Sequence, residues 1–232
     1  MPIAALIHLA MALLAFISTG AFFLAYLRTK NEGVLRLSGP FFFITCYTLA
    51  MGVPVLVTHD PDTLAWSLFA GLVSIFLCIL TAYRLPIFER SPVFGRAAPY
   101  LIATTIVVAT IVLILEFLDP NLPTVTKEGL VIWNVAEVGA WLLGGLCLFT
   151  GLSWGFLFLE NSRLVTDWRS RFKVYILALD GILFGIAGFI YFLSQRERET
   201  LTAYFLMVLA LSCTAVVFTR ARFHEEEGET PA

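Results

Sequence analysis

The stretch FKVYILALDGILFGIAGFIYF, residues 172–192, is apolar except for one full acid, Asp180. A carboxyl group inside an apolar helix has three uses: to exchange a proton, to hold a solute, or to bond a neighbouring helix. Asp180 lies seven residues past Lys173, about 10 Å along a helix at 1.5 Å per residue. At that depth in a bilayer a carboxylate costs about 2.5–3.5 kcal/mol, which a proton or a partner reduces. Successive residues turn by about 100°, which puts Tyr191 on the same helix face within about 20°. Gly181 and Gly185 form a GxxxG pair with Gly188 on the same side, a stripe that lets another backbone approach closely. Asp180 is therefore expected to face protein rather than lipid. Together with Tyr191 it is the candidate intramembrane polar site.

Weaker candidates are Glu137 and His8. Glu137 sits in VIWNVAEVGAW, near the expected outer end of an apolar segment drawn at 130–159. That segment exceeds the ~20 residues a span requires, so its first turns are expected in the headgroup layer. Trp133 and Trp141 would anchor it there. Glu137 then reads as an interfacial acid, with an outward-facing binding or proton-accepting group as the alternative. Glu116 and Asp119 read as interfacial acids at the outer end of the preceding segment. His8 reads as an interfacial or core polar group rather than a ligand. The 130–159 segment has its own small-residue face, Gly144, Gly151 and Gly155, which reads as a helix-packing surface.

The elements that must carry these groups follow from composition. The chain has 232 residues, 59% hydrophobic and 14% charged, with a mean hydropathy of +0.87. Soluble domains are nearer a quarter charged. So apolar a chain is expected to be an all-α membrane protein. Seven segments are long enough to span: 3–27, 38–57, 64–83, 98–118, 130–159, 172–193 and 200–219. Together they make a single seven-helix transmembrane domain, 1–219, followed by a short, acidic, solvated and disordered tail, 220–232. The first segment lacks the positive n-region of a cleaved signal and exceeds its apolar length.

Of the 15 basic residues, 12 fall in alternate loops and the tail, leaving Lys127, Arg196 and Arg198 on the other side. By the positive-inside rule the N-terminus is outside and the C-terminus cytoplasmic. A multi-pass protein of a cell membrane, in a prokaryotic inner or plasma membrane, is expected, with the lipid bilayer as its first partner. A 3+1+3 pseudo-repeat is a candidate arrangement: Thr19-Gly20 aligns on Thr150-Gly151, and both third helices end in an arginine, Arg84 and Arg220.

Several chemistries are excluded. A retinal Schiff base needs a lysine in the last helix, and Lys30, Lys127 and Lys173 all lie at loops or helix ends. Haem ligation by paired histidines fails, because of His8, His59 and His224 only His8 is in a span. Zinc hydrolases need several His and Asp ligands, which are missing for the same reason. Cys46, Cys78, Cys147 and Cys213 are scattered through apolar runs and read as small buried hydrophobes. Sugar transporters of 3+1+3 build are similar in helix count and orientation only, since Pro40 and Pro54 have no counterparts in the sixth segment. No phosphate loop or hydrolase motif occurs, and no basic run suggests nucleic acid. No cofactor and no enzyme activity are expected.

Two functions remain. One is an accessory or sensory subunit that binds partner membrane helices, or a second copy of itself, without chemistry of its own. The alternative is a small-solute transporter with Asp180 as its proton- or solute-binding group.

Overall fold

The computed structural model describes residues 2–118 and 120–227, with side chains as far as residue 219. The expected acid Asp119 lies outside them. Seven helices are long and apolar enough to cross a membrane: α1 (Ile3–Thr29), α2 (Glu32–Val57), α3 (Pro61–Tyr83), α5 (Phe94–Leu118), α6 (Glu137–Ser162), α7 (Trp168–Leu193) and α8 from Glu197 to Thr219. A one-turn helix, α4 (Pro86–Glu89), separates α3 from α5. The protein is an all-α seven-helix bundle of the multi-pass membrane type.

Most spans begin several residues before their apolar runs, because a helix starts at its cap rather than where hydropathy rises. Asn31 accepts the Gly33 amide at 2.9 Å to open α2. Asp60 accepts the Thr63 amide and hydroxyl, at 2.9 and 2.6 Å, to open α3. Asp167 accepts the Ser170 amide at 2.8 Å to open α7. Such side-chain acceptors satisfy amides that the first turn leaves without partners. The same bonds hold the Asp60 and Asp167 carboxyls below the usual carboxylate range: for Asp60 the Thr63 hydroxyl first, for Asp167 the Ser170 amide first. At the other end of the chain, the backbone of α8 stays helical to Glu227, into the part of the tail expected to be disordered. Its Ala, Arg and Glu residues are good helix formers.

The expected span at 130–159 needs correction. Residues 124–132 fold into a small antiparallel hairpin, β1 (Thr124–Val125) with β2 (Val131–Ile132), which turns through Gly129 at φ 76°. Asn134 also takes a left-handed conformation, at φ 49°, and the helix begins only at Glu137. The apolar run LVIW that suggested a membrane helix instead forms the second strand of the hairpin and its exit, with Leu130, Val131 and Trp133 buried. Trp133 is therefore not an interface anchor, whereas Trp141 is exposed. The Ala4 amide donates to the Gly129 carbonyl at 3.1 Å, which fastens the hairpin to the start of α1. The hairpin end is the outer end in the orientation given by the basic residues.

Glu116 is also corrected. It is 6% exposed, and its carboxylate accepts the Ala136 amide at 2.8 Å, at the cap position of α6. A buried acceptor there ends α5 and starts α6 with one bond.

The helices form a ring in which α1, α2 and α3 pack in sequence, as do α6, α7 and α8, and α8 returns against α1. The α6–α7 interface is the most extensive, while α3 and α6 barely touch. Helix α5 lies outside the ring and packs on α3 and α6. It turns Ile106, Val107, Ile111, Ile114 and Phe117 outward, an apolar face suited to lipid. At the opposite, inner end, Arg36 ties α2 to the α3–α4 corner through Glu89 at 3.1 Å and the Arg84 carbonyl at 3.2 Å.

Candidate functional site

The α6–α7 seam places the site. A side chain on Gly151 would come within 2.5 Å of the Gly185 Cα and overlap the Gly181 carbonyl. One on Gly188 would come within 2.9 Å of the Cys147 Cβ. Gly155 faces Ile182 and the Ala178 carbonyl, and Gly181 faces the Trp154 ring. Glycine at all five positions lets the two backbones touch, and van der Waals packing with interhelical hydrogen bonds holds such a seam in lipid. The Trp154 indole N–H fixes the register by donating to the Leu177 carbonyl at 2.8 Å. Asp180, one turn further along α7, is thereby held facing the bundle interior.

There it borders a cavity of about 100 Å³. Its wall includes Met11 of α1, Tyr47 of α2, Cys78 of α3, Thr150 of α6, Phe184 of α7 and Met207 of α8. Six helices contribute and α5 contributes nothing. Asp180 stands near the midpoint of α7 and is 3% exposed. Its Oδ1 has no hydrogen-bond partner. Thr214 of α8 lies beside the carboxyl, yet its hydroxyl also completes no bond. Thr214 is thus the group placed to bond Asp180 from another helix.

The two halves of the bundle interior treat their polar groups differently. Toward the inner end the Tyr83 and Thr150 hydroxyls bond each other at 2.7 Å, and the Trp154 indole N–H is taken up by the Leu177 carbonyl. Toward the outer end lie Tyr47, Tyr191, Tyr204, His8 and Trp133, all buried, each with a polar atom lacking a partner. The Tyr191 hydroxyl adjoins those of Tyr47 and Tyr204, and Tyr204 adjoins the Trp133 indole N–H. The His8 and Tyr204 rings meet edge to face at 5.1 Å. His8 Nδ1 bonds the Ala4 carbonyl at 2.9 Å; a carbonyl only accepts, so Nδ1 carries the proton and Nε2 presents a lone pair.

Of the candidates, Asp180 reaches the cavity and Tyr191 does not; Tyr191 lies about 16 Å further along α7 at 1.5 Å per residue. Glu137 is exposed in the first turn of α6. His8 is fully buried and belongs to the outer cluster. Tyr47, Tyr204 and Thr214 escaped the sequence reading, because tyrosine and threonine carry little hydropathy penalty and their partners are remote in sequence. A helical-wheel sign existed only on the last span, where Thr200 and Tyr204 share a face at i, i+4.

The cavity's titratable groups are Asp180, Tyr47, Cys78 and Cys147, and no arginine or lysine lines it. Such a site is suited to taking up a proton or one small hydrogen-bonding molecule. Among the described residues no cluster of three His, Cys, Asp or Glu side chains could hold a metal ion. No family model matches the chain, and no curated protein or solved structure matches it either.

Proposed function

We propose that the chain is a sensory or accessory subunit of a cell membrane, without chemistry of its own, whose input is read at Asp180 and passed to partner membrane helices. One observation carries this reading: a small cavity, walled by six helices, that holds a single carboxyl group. A change in the charge or occupancy of Asp180 acts on all six helices at once. With the Tyr83 and Thr150 hydroxyls bonded to each other and the Trp154 indole N–H to the Leu177 carbonyl, the inner part of the wall offers a solute few free polar groups on a path to the cytoplasm, which a carrier would need. The proposed setting is a prokaryotic inner or plasma membrane, N-terminus outside.

The test joins two measurements on one preparation. Purified in mild detergent from its own membrane, the chain is expected to bring a stoichiometric membrane partner. Reconstituted alone in vesicles loaded with a pH-sensitive dye, it is expected to give no sustained proton or solute flux. Asp180→Asn should fold and keep the partner. Sustained flux that Asp180→Asn abolishes would establish the transporter instead.

A further inference from the structure

The buried polar atoms without hydrogen-bond partners among the described residues are seven: His8 Nε2, Trp133 Nε1, Thr214 Oγ1, Asp180 Oδ1 and the hydroxyls of Tyr47, Tyr191 and Tyr204. A random scatter of unmet groups would fall throughout the bundle. These belong to α1, α2, α7, α8 and the residue that follows the hairpin, and they run from beneath the outer hairpin to the centre. An unbonded polar group buried in hydrocarbon costs several kcal/mol. Yet these groups stand beside one another, Tyr47 by Tyr191, Tyr191 by Tyr204, Tyr204 by Trp133 and Thr214 by Asp180, so small shifts can make and break bonds along the line.

We infer that this line is a proton relay, connecting Asp180 to the outer face of the membrane and leaving it insulated from the inner face. The proposal rests on the sensory reading of the same site and names its stimulus, the external proton. At the outer end the Ser194 hydroxyl bonds that of Thr200 at 2.7 Å, next to the loop that joins α7 to α8. One helical turn inward, at i+4 on the same face of α8, stands Tyr204. Its hydroxyl adjoins that of Tyr191, which adjoins that of Tyr47. Tyr47 and Asp180 both border the cavity, which is roomy enough for a few waters, since one water needs about 10–15 Å³ of such space. On that wall the Tyr47 hydroxyl and Asp180 Oδ1 are the polar atoms left to bond water. Beyond it the Thr214 hydroxyl flanks the carboxyl.

The transfer is balanced at each member. A hydroxyl oxygen accepts a proton from its outer neighbour and releases its own to the inner one. Asp180 carboxylate ends as the carboxylic acid, and external water has lost one proton. The Trp133 indole has an N–H and no lone pair to accept with. It therefore donates to and orients Tyr204 but does not conduct. His8 Nε2 supplies an acceptor at the same level. The groups facing Asp180 include no opposing charge: α2 presents Tyr47, α3 Cys78, α6 Cys147 and Thr150, α8 Thr214 with Met207 and Leu211, and α1 Met11. Proton exchange at this carboxyl therefore changes the net charge of the cavity by one.

Infrared difference spectroscopy on the purified chain, reconstituted in vesicles of uniform orientation, reads the protonated carboxyl band directly. Asp180→Asn identifies the band by its loss. A pH jump on the hairpin side is expected to change the band, and a jump on the other side is not. Tyr191→Phe and Tyr47→Phe keep the ring and remove the hydroxyl, and each should slow the response by roughly tenfold or more. Tyr83→Phe, on the insulated side, should leave the rate unchanged. A band that ignores the outer pH, a band that follows the inner pH, or unaltered rates in both relay variants would overturn the relay. Sustained flux through the reconstituted chain would instead overturn the sensory reading and leave an outer relay standing.

Discussion

The two helix triplets, α1–α2–α3 and α6–α7–α8, occupy equivalent places around the cavity but are built by different means. The second is joined through backbone: Gly151 meets the Gly181 carbonyl and the Gly185 Cα. The first is joined through side chains. Gly52 of α2 receives the His8 Cβ, at 2.7 Å from where its own Cβ would stand, and Gly20 of α1 has nothing within 4 Å. Thr19, aligned with Thr150 in the repeat comparison, bonds the Ala15 carbonyl of its own helix at 2.9 Å, whereas Thr150 bonds Tyr83 of the other triplet. An alignment of letters can therefore pair positions with no shared physical task. The placement of α5 outside the ring suits a 3+1+3 plan, yet the seams that close the ring differ: α1 packs on α8, and α3 scarcely meets α6.

Substitution at Gly151 should break this comparison most severely. A methyl group there meets backbone on the facing helix, which cannot turn aside as a flexible side chain would. Overpacking typically costs about 1–3 kcal/mol, occasionally more, and Gly151→Ala is expected at or above the top of that range. The measurement is the melting temperature and monodispersity of the detergent-purified variant. A variant as stable as the parent would show that the α6–α7 seam is looser than its geometry.

The starts of the two triplets offer a finer comparison. Helix α1 begins under the hairpin, where Ala4 donates to a backbone carbonyl, and α6 begins under α5, where Ala136 donates to Glu116. Only the second bond depends on a side chain. Glu116→Ala leaves a part-buried amide unmet and should cost about 1–3 kcal/mol. Glu116→Gln keeps an acceptor oxygen and should recover most of that loss. If both variants melt with the parent, the Glu116 bond does not hold α6.

These contrasts mark what the sequence could reveal. Seven spans were legible because hydropathy is a property of the local run, and the GxxxG stripe beside Asp180 was legible because helical spacing is local as well. The hairpin was hidden because LVIW is apolar both as a strand under a cap and as a membrane helix. Glu116 looked interfacial because its partner, Ala136, offers a backbone amide that carries no sequence signature. The outer cluster was invisible for a related reason: Tyr47, Tyr191 and Tyr204 come from three helices, and their meeting depends on how those helices rotate.

The smallest expected effect is at Gly20, and it is the most informative partner to Gly151. A Cβ at Gly20 meets no atom within 4 Å, and the residue sits within α1 with no left-handed conformation to protect. Glycine in a helix interior is less favourable than alanine by about 0.8–1.0 kcal/mol in water, a difference that lipid packing reduces without reversing. Gly20→Ala should therefore leave the melting temperature unchanged or raise it slightly. The same substitution is thus expected to be harmless at one member of the aligned pair and disabling at the other. Measured together in one detergent, the two variants weigh the repeat directly. Equal losses would mean that α1 makes a close helix contact at Gly20, and the two triplets would be equivalent after all.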